Sequence, residues 1–259
     1  MEPPRNPPRN RHIYLLPNLL TTCGMFAGFY AILAAASGHF EHACIAVFVA
    51  AIFDGVDGRV ARLTGTSSEF GVQYDSLADL VSFGMAPALV MYHWALVGMK
   101  IDGVLPGKVG WAAAFVYMAC AALRLARFNT QVGVIDKRWF IGLNSPSSAA
   151  LMMAFVWTMN DFGYSGEELR YGAVALSVAC GLLMVSRIRY PSFKGGAKAD
   201  TPEGPKSERV PFWVMLLVVG FLIALLVDPP RVLLFVALSY ALSGPGIWLW
   251  SRLQRKAAS

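Results

Sequence analysis

The sequence predicts an all-α fold, a polytopic transmembrane helical bundle of about eight spans. Of its 259 residues, 56% are hydrophobic, and the mean hydropathy is +0.51. Apolar stretches of near-spanning length recur along the chain, and basic residues gather in every second connection between them. These features are typical of membrane proteins and exclude an ordinary soluble domain.

Each predicted span approaches the roughly 20 residues that cross a bilayer as a helix. The fifth and sixth are short, and the first six are expected to form one six-helix core. The N-terminus shows no cleavable signal, so we expect the first span to remain as an anchor. The eight stretches lie near residues 15–36, 42–61, 70–98, 109–128, 147–163, 171–188, 210–228 and 231–250.

The basic residues predict the orientation of these spans. If the N-terminus is cytoplasmic, only Lys100, Lys108, Arg170 and Arg231 fall on the outer side. This positive-inside bias favours an even number of spans. The net charge of +6 therefore reflects topology and contact with anionic membrane lipids, and it does not indicate nucleic acid as a partner.

The composition also suggests four regions along the chain. Residues 1–13 form a Pro- and Arg-rich basic arm, and 14–190 form the transmembrane core. A Pro-, Gly- and Lys-rich cytoplasmic linker is expected over 191–209. A C-terminal transmembrane hairpin follows over 210–251, and it carries no acid within its spans.

Four carboxylates lie where the second and third spans meet: Asp54, Asp57, Asp75 and Asp79. Because an acid in hydrocarbon is costly unless it is paired, hydrated or bound to a cation, acids there indicate a functional site. The spacings of three and four residues put each pair on one helix face. Converging carboxylates predict a site for hard divalent cations, and both Mg²⁺ and Mn²⁺ accept such oxygen ligands.

The end of the second span offers small residues and a cation beside these acids. Gly58 and Ala61 share a face that lets a ligand approach the backbone. Arg62 suits a diphosphate, although an arginine at this position could also simply extend to the membrane surface. The sequence Thr66-Ser-Ser-Glu69 predicts a capping box that starts the third span at Thr66.

Polar residues also mark the first and fourth spans. Asn18 and Thr21 could present polar groups at the cytoplasmic edge, and Gly24-x-x-x-Gly28 predicts close helix packing. Arg124 and Arg127 end the fourth span. From composition alone, they are read slightly more readily as positive-inside anchors than as ligand groups.

The run D-x2-D-G-x2-A-R-x8-G-x3-D-x3-D from Asp54 to Asp79 resembles the signature of the CDP-alcohol phosphatidyltransferase family at every fixed position. The resemblance implies a catalytic transmembrane core in which these four aspartates hold two divalent cations per active site. It implies that Asp79 and Asp75 are catalytic, with Asp79 as the general base. The CDP pocket that it implies is lined by Asn18, Thr21, Gly58, Ala61, Arg62 and Gly71.

The run R-L-A-R-F-N at 124–129, followed by Gly142-Leu-Asn144-Ser-Pro-Ser147, resembles the serine-using branch of the family. Relatives there usually read G-L-P-S-P, and Asn144 departs from that pattern. The resemblance implies transfer from CDP-diacylglycerol to L-serine, giving phosphatidylserine and CMP, with Arg127 and Asn129 as substrate-binding residues. It also implies a homodimer in the bacterial cytoplasmic (inner) membrane, and the positive-inside bias predicts that the active site opens to the cytoplasm.

Alternatives remain open at this stage. The motif does not identify the acceptor, and family members also use glycerol 3-phosphate or inositol phosphate. A divalent-cation transporter could hold four acids in a membrane, but it would tend to show repeats and broken helices, which the sequence does not reveal. An inactive scaffold would have no need to hold acids there.

Overall fold

The computed structural model describes residues 15–65, 68–130, 139–191 and 212–257 and confirms an all-α bundle. Its first half contains two long helices, a third segment built from several helical types, and a long fifth helix. In chain order these are α1 (Leu15–Ala36), α2 (Phe40–Leu63), α3 (Glu69–Asp79), a π-helical turn (Leu80–Met85), α4 (Ala86–Trp94), a 3₁₀ helix (Leu96–Asp102) and α5 (Val104–Thr130).

Four more helices and one small ribbon complete the fold. The helices are α6 (Ser145–Asp161), α7 (Arg170–Val185), α8 (Phe212–Val227) and α9 (Pro229–Ala257). The ribbon, which the sequence did not predict, pairs β1 (Trp139–Ile141) with antiparallel β2 (Arg189–Pro191). The expected N-terminal arm at 1–13 and nearly all of the expected linker at 191–209 lie outside the described residues.

The helical segments match the eight predicted stretches, and the chain is an integral membrane protein. By length and composition, the described part contains four helical segments able to cross a membrane: Leu15–Ala36, Glu69–Asp102, Val104–Thr130 and Pro229–Trp250. Helices α7 and α8 are apolar but shorter. Helix α2 contains two acids and two arginines within its second half, Asp54 to Arg62, as expected if it lines a polar site.

Small residues let α1 pack closely against its neighbours, as Gly24-x-x-x-Gly28 predicted. A Cβ on Gly24 would lie 3.4 Å from the Cβ of Phe53 on α2. A Cβ on Gly28 would lie 2.8 Å from the Cα of Ser82, closer than real Cβ atoms come to a backbone atom. The close approach of α1 to the third segment therefore requires glycine at position 28.

The third segment is one continuous helical rod whose hydrogen-bond pattern changes directly after Asp79. The Leu80–Met85 turn is π-helical, and the amide of Ala86 donates to the carbonyl of Val81, five residues back. Pro87 lacks an N–H and cannot donate to Phe83, four residues back. The hydroxyl of Tyr117 on α5 donates to that Phe83 carbonyl instead, at 3.0 Å. The sequence did not reveal this interruption.

The helix starts near the site differ from the sequence prediction in one place. The N-cap of α3 is Ser68, whose hydroxyl accepts from the amide of Gly71 at 3.0 Å. The predicted cap at Thr66 is therefore wrong by two residues, because Ser68 provides the same hydroxyl acceptor closer to the first turn. At α6, Asn144 is the N-cap and accepts from the amide of Ser147 at 2.7 Å.

The C-terminal hairpin attaches to the core through α9. The Tyr190 hydroxyl on β2 donates to the carbonyl of Ala241 at 3.2 Å, and the Tyr190 ring lies directly against Gly244. In the first turn of α9, Arg231 contacts Asp161 at the end of α6 at 3.2 Å. Helix α8 has no buried residue within the described part of the chain.

Candidate active site

Helices α2 and α3 bring the predicted acids together. One carboxylate oxygen from each of Asp54, Asp57 and Asp75 lies within 4.8 Å of the others. Asp79 lies one turn beyond Asp75, within hydrogen-bonding reach of the Asp54 carboxyl. Asp57 is only 4% exposed. The structure thus brings together the side chains that the sequence predicted to converge.

The acids line a small cavity between α1, α2 and the third segment, with a volume of about 10 Å³. This is about the space that one water molecule needs. Its other polar walls are the hydroxyls of Thr21 and Ser82. The Ser82 hydroxyl donates to the carbonyl of Gly24 at 3.2 Å, so the π-helical turn is bonded to α1 beside the cavity.

Thr21 reaches the cluster from the first helix. Its hydroxyl lies 2.6 Å from Oδ2 of Asp57, to which it donates, and 3.1 Å from the carbonyl of Pro17. Thr21 is itself buried. A hydroxyl that holds one carboxylate oxygen orients the other oxygen of Asp57, as residues behind the ligands of metal sites commonly do.

The donor set fits a divalent cation with oxygen ligands. Three carboxylates this close repel one another unless a proton or a cation neutralises them. Two ligands on opposite sides of a Mg²⁺ ion lie about 4 Å apart, twice its 2.0–2.1 Å bond length, which is within the span of the three oxygens. The acidic cluster could therefore hold a hard cation such as those that carboxylates prefer.

The residues predicted for a nucleotide pocket lie at the same end of the bundle. A Cβ on Gly71 would lie 3.7 Å from Oδ1 of Asn18, so the start of α1 adjoins the first turn of α3. On α2, a Cβ on Gly58 would lie 3.9 Å from Nη1 of Arg62, so the guanidinium lies over the glycine. Ala61, which lies between Gly58 and Arg62 in the sequence, is half-buried.

The end of α5 lies beside the acidic cluster and carries Arg124. The sequence favoured a membrane-surface anchor at this position over a ligand group. The Nη1 of Arg124 donates to the Ser145 hydroxyl at 2.9 Å, and its charge interacts with the carboxylate of Asp79. Its Nε is buried and has no hydrogen-bond partner among the described residues. Ser145 lies 21 residues further along the chain, so no local sequence pattern indicates this contact.

The predicted substrate-binding residues Arg127 and Asn129 both form hydrogen bonds within the protein. The Arg127 guanidinium donates to the carbonyl of Ile141 at 2.9 Å and to that of Val185 at 3.1 Å. The Asn129 amide donates to the Ser76 hydroxyl on α3 at 3.0 Å. These contacts connect α5 to β1, to the end of α7 and to the helix that carries Asp75.

Comparison with known proteins gives a consistent family match. A family model described as CDP-alcohol phosphatidyltransferase matches residues 14–185. The chain is 42% identical over 185 residues to the CDP-diacylglycerol–serine O-phosphatidyltransferase of Helicobacter pylori strain J99, covering 70% of this chain and 74% of that protein. It is 35% identical over 182 residues to the archaetidylserine synthase of Methanothermobacter thermautotrophicus, covering 70% and 71% of the two chains. The matched family region ends before α8 and α9.

We expect the change Thr21→Val to weaken divalent-cation binding by about tenfold, because it removes the hydroxyl that orients Asp57 while keeping the side-chain shape. Binding would be measured with Mn²⁺ by electron paramagnetic resonance on the purified protein. Thr22→Val is the matched control, since the Thr22 hydroxyl contacts Tyr74 at 2.9 Å. Equal Mn²⁺ affinity in the two variants would contradict this role of Thr21.

Proposed function

The chain belongs to the CDP-alcohol phosphatidyltransferase family, and from that premise we propose that it transfers the phosphatidyl group of CDP-diacylglycerol to the hydroxyl of L-serine. The products are phosphatidylserine and CMP. The observation that carries the proposal is the convergence of Asp54, Asp57 and Asp75 within 4.8 Å inside a membrane bundle. The names of the relatives in Helicobacter and Methanothermobacter support serine as the acceptor.

In this proposal, Asp54, Asp57, Asp75 and Asp79 hold two divalent cations, Mg²⁺ or Mn²⁺. When bound, such cations neutralise the diphosphate of the donor and polarise its bridging bond. The protein's part is to present carboxylate oxygens at a fixed spacing. Thr21 orients the buried Asp57 for that purpose through its 2.6 Å hydrogen bond.

The nucleotide end of the donor is proposed to lie over the small residues next to the acids. Gly58, Ala61 and Gly71 leave room for the ligand to approach the helix backbones, and Arg62 donates to a diphosphate oxygen. Asn18 and Thr21 close the pocket from α1. The support is the adjacency of Asn18 to Gly71 and of Arg62 to Gly58.

Proton transfer is assigned to Asp79, with Asp75 beside it. The serine hydroxyl attacks the phosphorus that carries the diacylglycerol, and its proton passes to the Asp79 carboxylate as the bond to CMP breaks. One P–O–P bond of the donor breaks and one P–O–C bond to serine forms, and CMP leaves with the bridging oxygen. Diacylglycerol chains stay in the lipid while the headgroup reaches the acids, which supplies proximity.

We assign binding of the serine carboxylate to Arg124. A guanidinium binds a carboxylate through paired N–H donors, and the buried Nε of Arg124, whose charge interacts with Asp79, has no hydrogen-bond partner among the described residues. Ser145, bonded to its Nη1 at 2.9 Å, holds the side chain in place. Arg127 and Asn129 are proposed to support this wall through their bonds to Ile141, Val185 and Ser76.

We further infer that the active site opens to the cytoplasm of a bacterial inner membrane, because Arg62, Arg124 and Arg127, which lie at the acidic end of the bundle, belong to segments that the positive-inside rule assigns to the cytoplasm. Ion pairs of Arg170 with Asp102 and of Arg231 with Asp161 lie at the other end. The expected homodimer stays a prediction. Helix α8, which buries no residue within the described chain, offers an apolar surface for such an association.

An acceptor panel tests the function directly. Purified protein with labelled CDP-diacylglycerol and Mn²⁺ or Mg²⁺ should release CMP with L-serine and form phosphatidylserine, which is measured by thin-layer chromatography. Chelation with EDTA should abolish turnover, and restoring the cation should recover it. If CMP were released with glycerol 3-phosphate or an inositol phosphate but not with serine, serine would be the wrong acceptor. Cation flux in vesicles without CMP release would refute the enzyme.

We expect Asp79→Asn to reduce CMP release by at least about 10²-fold, since an amide cannot accept the serine proton. Binding of CDP-diacylglycerol should change little. Asp161→Asn is the control, because it makes the same exchange at an exposed ion pair far from the cluster. Turnover in Asp79→Asn that matches Asp161→Asn would refute the base assignment.

We expect Arg124→Lys to raise the KM for serine by about tenfold, because lysine keeps the charge but loses the forked hydrogen-bond geometry. The KM for CDP-diacylglycerol should stay within about twofold of the wild type. Arg127→Lys is the comparison variant and should lower the melting temperature while leaving the serine KM unchanged. A raised serine KM in Arg127→Lys, with an unchanged one in Arg124→Lys, would instead assign binding of the serine carboxylate to Arg127.

A further inference from the structure

A second groove lies at the end of the bundle opposite the acids. It has a volume of about 560 Å³ and is lined by Tyr92, Lys100, Gly103, Val104, Gly107, Lys108 and Trp111, around the start of α5. Lys108 precedes Arg124 on α5 by 16 residues. At 1.5 Å per residue, this separates it from the active site by about 24 Å along the helix axis. The groove and the acidic cluster therefore belong to opposite membrane faces.

The two lysines differ from the other basic residues at this end. Arg170 is paired with Asp102 at 2.6 Å, and Arg231 is paired with Asp228 at 2.7 Å. Among the described residues, the side-chain ammonium of neither Lys100 nor Lys108 takes part in an ion pair or hydrogen bond. The groove is thus lined by two lysines whose charge no described residue neutralises.

The local backbone holds the lysines on one groove. The 3₁₀ helix ends at Asp102, and Gly103 turns the chain into α5 with φ of 125°, a value that side chains rarely allow. A Cβ on Gly107 would lie 3.1 Å from Cγ of Lys100, so the first turn of α5 packs directly on the lysine stem. Lys108 is the next residue. This turn therefore brings two like charges together.

None of the described residues that line this groove carries a carboxylate. Asp102, which precedes the lining residue Gly103 in sequence, instead accepts hydrogen bonds from Nε and Nη2 of Arg170 and from the hydroxyl of Tyr171. Without an anion, the two ammonium groups repel each other. The groove is thus complementary to a group that bears negative charge, and it offers nothing to a positively charged amine.

The remaining surface is apolar. Val104 and Leu105 are 81% and 73% exposed and Trp111 is 61% exposed, with its ring stacked on Phe115. In a membrane protein such residues face acyl chains, and tryptophan favours the headgroup level. A water-soluble anion would gain nothing from this apolar lining, whereas a lipid would bury its chains along it.

We propose that the groove binds one anionic phospholipid of the leaflet opposite the active site. Its phosphodiester lies between Lys100 and Lys108, and an acyl chain follows Val104 and Trp111. The lipid neutralises the paired lysines and connects the end of the third helical segment to the start of α5. This site is separate from the proposed catalytic function and does not depend on it.

The test uses native mass spectrometry on the full chain in neutral detergent. Phosphatidylglycerol is compared with phosphatidylcholine that has the same acyl chains. The wild type should hold one phosphatidylglycerol at least about tenfold more tightly than phosphatidylcholine, because each lysine near an anionic headgroup adds to the attraction. The double variant Lys100→Gln/Lys108→Gln should lose that preference, and Lys100→Arg/Lys108→Arg should keep it.

Two controls make the result decisive. Lys194→Gln/Lys198→Gln removes the same charge from a segment outside the described residues and should keep the bound lipid. Each variant should elute as the wild type does in size exclusion and should release CMP at the wild-type rate. Unchanged lipid preference in Lys100→Gln/Lys108→Gln, or an equal loss in the Lys194/Lys198 variant, would overturn the site. Displacement of the lipid by millimolar inorganic phosphate would overturn the lipid as its ligand.

Discussion

The structure depends on the placement of carboxylates between two helices inside a membrane. Asp54, Asp57 and Asp75 approach within 4.8 Å, where their mutual repulsion and the loss of hydration are both unfavourable. Such an arrangement persists only if groups of opposite charge or hydrogen-bond donors compensate it. Thr21 supplies one donor and Arg124 supplies a nearby positive charge. A bound cation would supply the remainder, which links the stability of this region to the chemistry that it performs.

Close helix packing gives the acids their positions. Glycine at position 28 lets the backbone of α1 approach Ser82, and the Ser82 hydroxyl then bonds the carbonyl of Gly24. The π-helical turn after Asp79 leaves the Phe83 carbonyl without its usual donor because Pro87 has none. Tyr117 donates to it from α5. The turn that follows the proposed base is thus connected to two other helices, so its geometry is set by the whole bundle.

The two ends of the bundle use charge differently. At the acidic end, cationic side chains lie close to carboxylates or backbone carbonyls, as Arg124 and Arg127 do. At the other end, Arg170 and Arg231 join connections to neighbouring helices through ion pairs. Lys100 and Lys108 instead line a groove that has no acid among its described lining residues. At the membrane surface, such unneutralised charges bear on contacts with anionic lipid headgroups.

The sequence by itself determined the all-α membrane fold, its helical stretches and the four aspartates, because hydrophobic length and the spacing of acids are local properties of the chain. It also identified the small residues that pack α1. Only the tertiary structure decided that Arg124 lies by Asp79 while Arg127 holds the carbonyls of Ile141 and Val185. Those partners lie far apart in sequence and meet only when α5, α6 and α7 pack. The π-helical turn likewise depended on Tyr117, a donor 34 residues from Phe83, and on the physical need to satisfy a buried carbonyl.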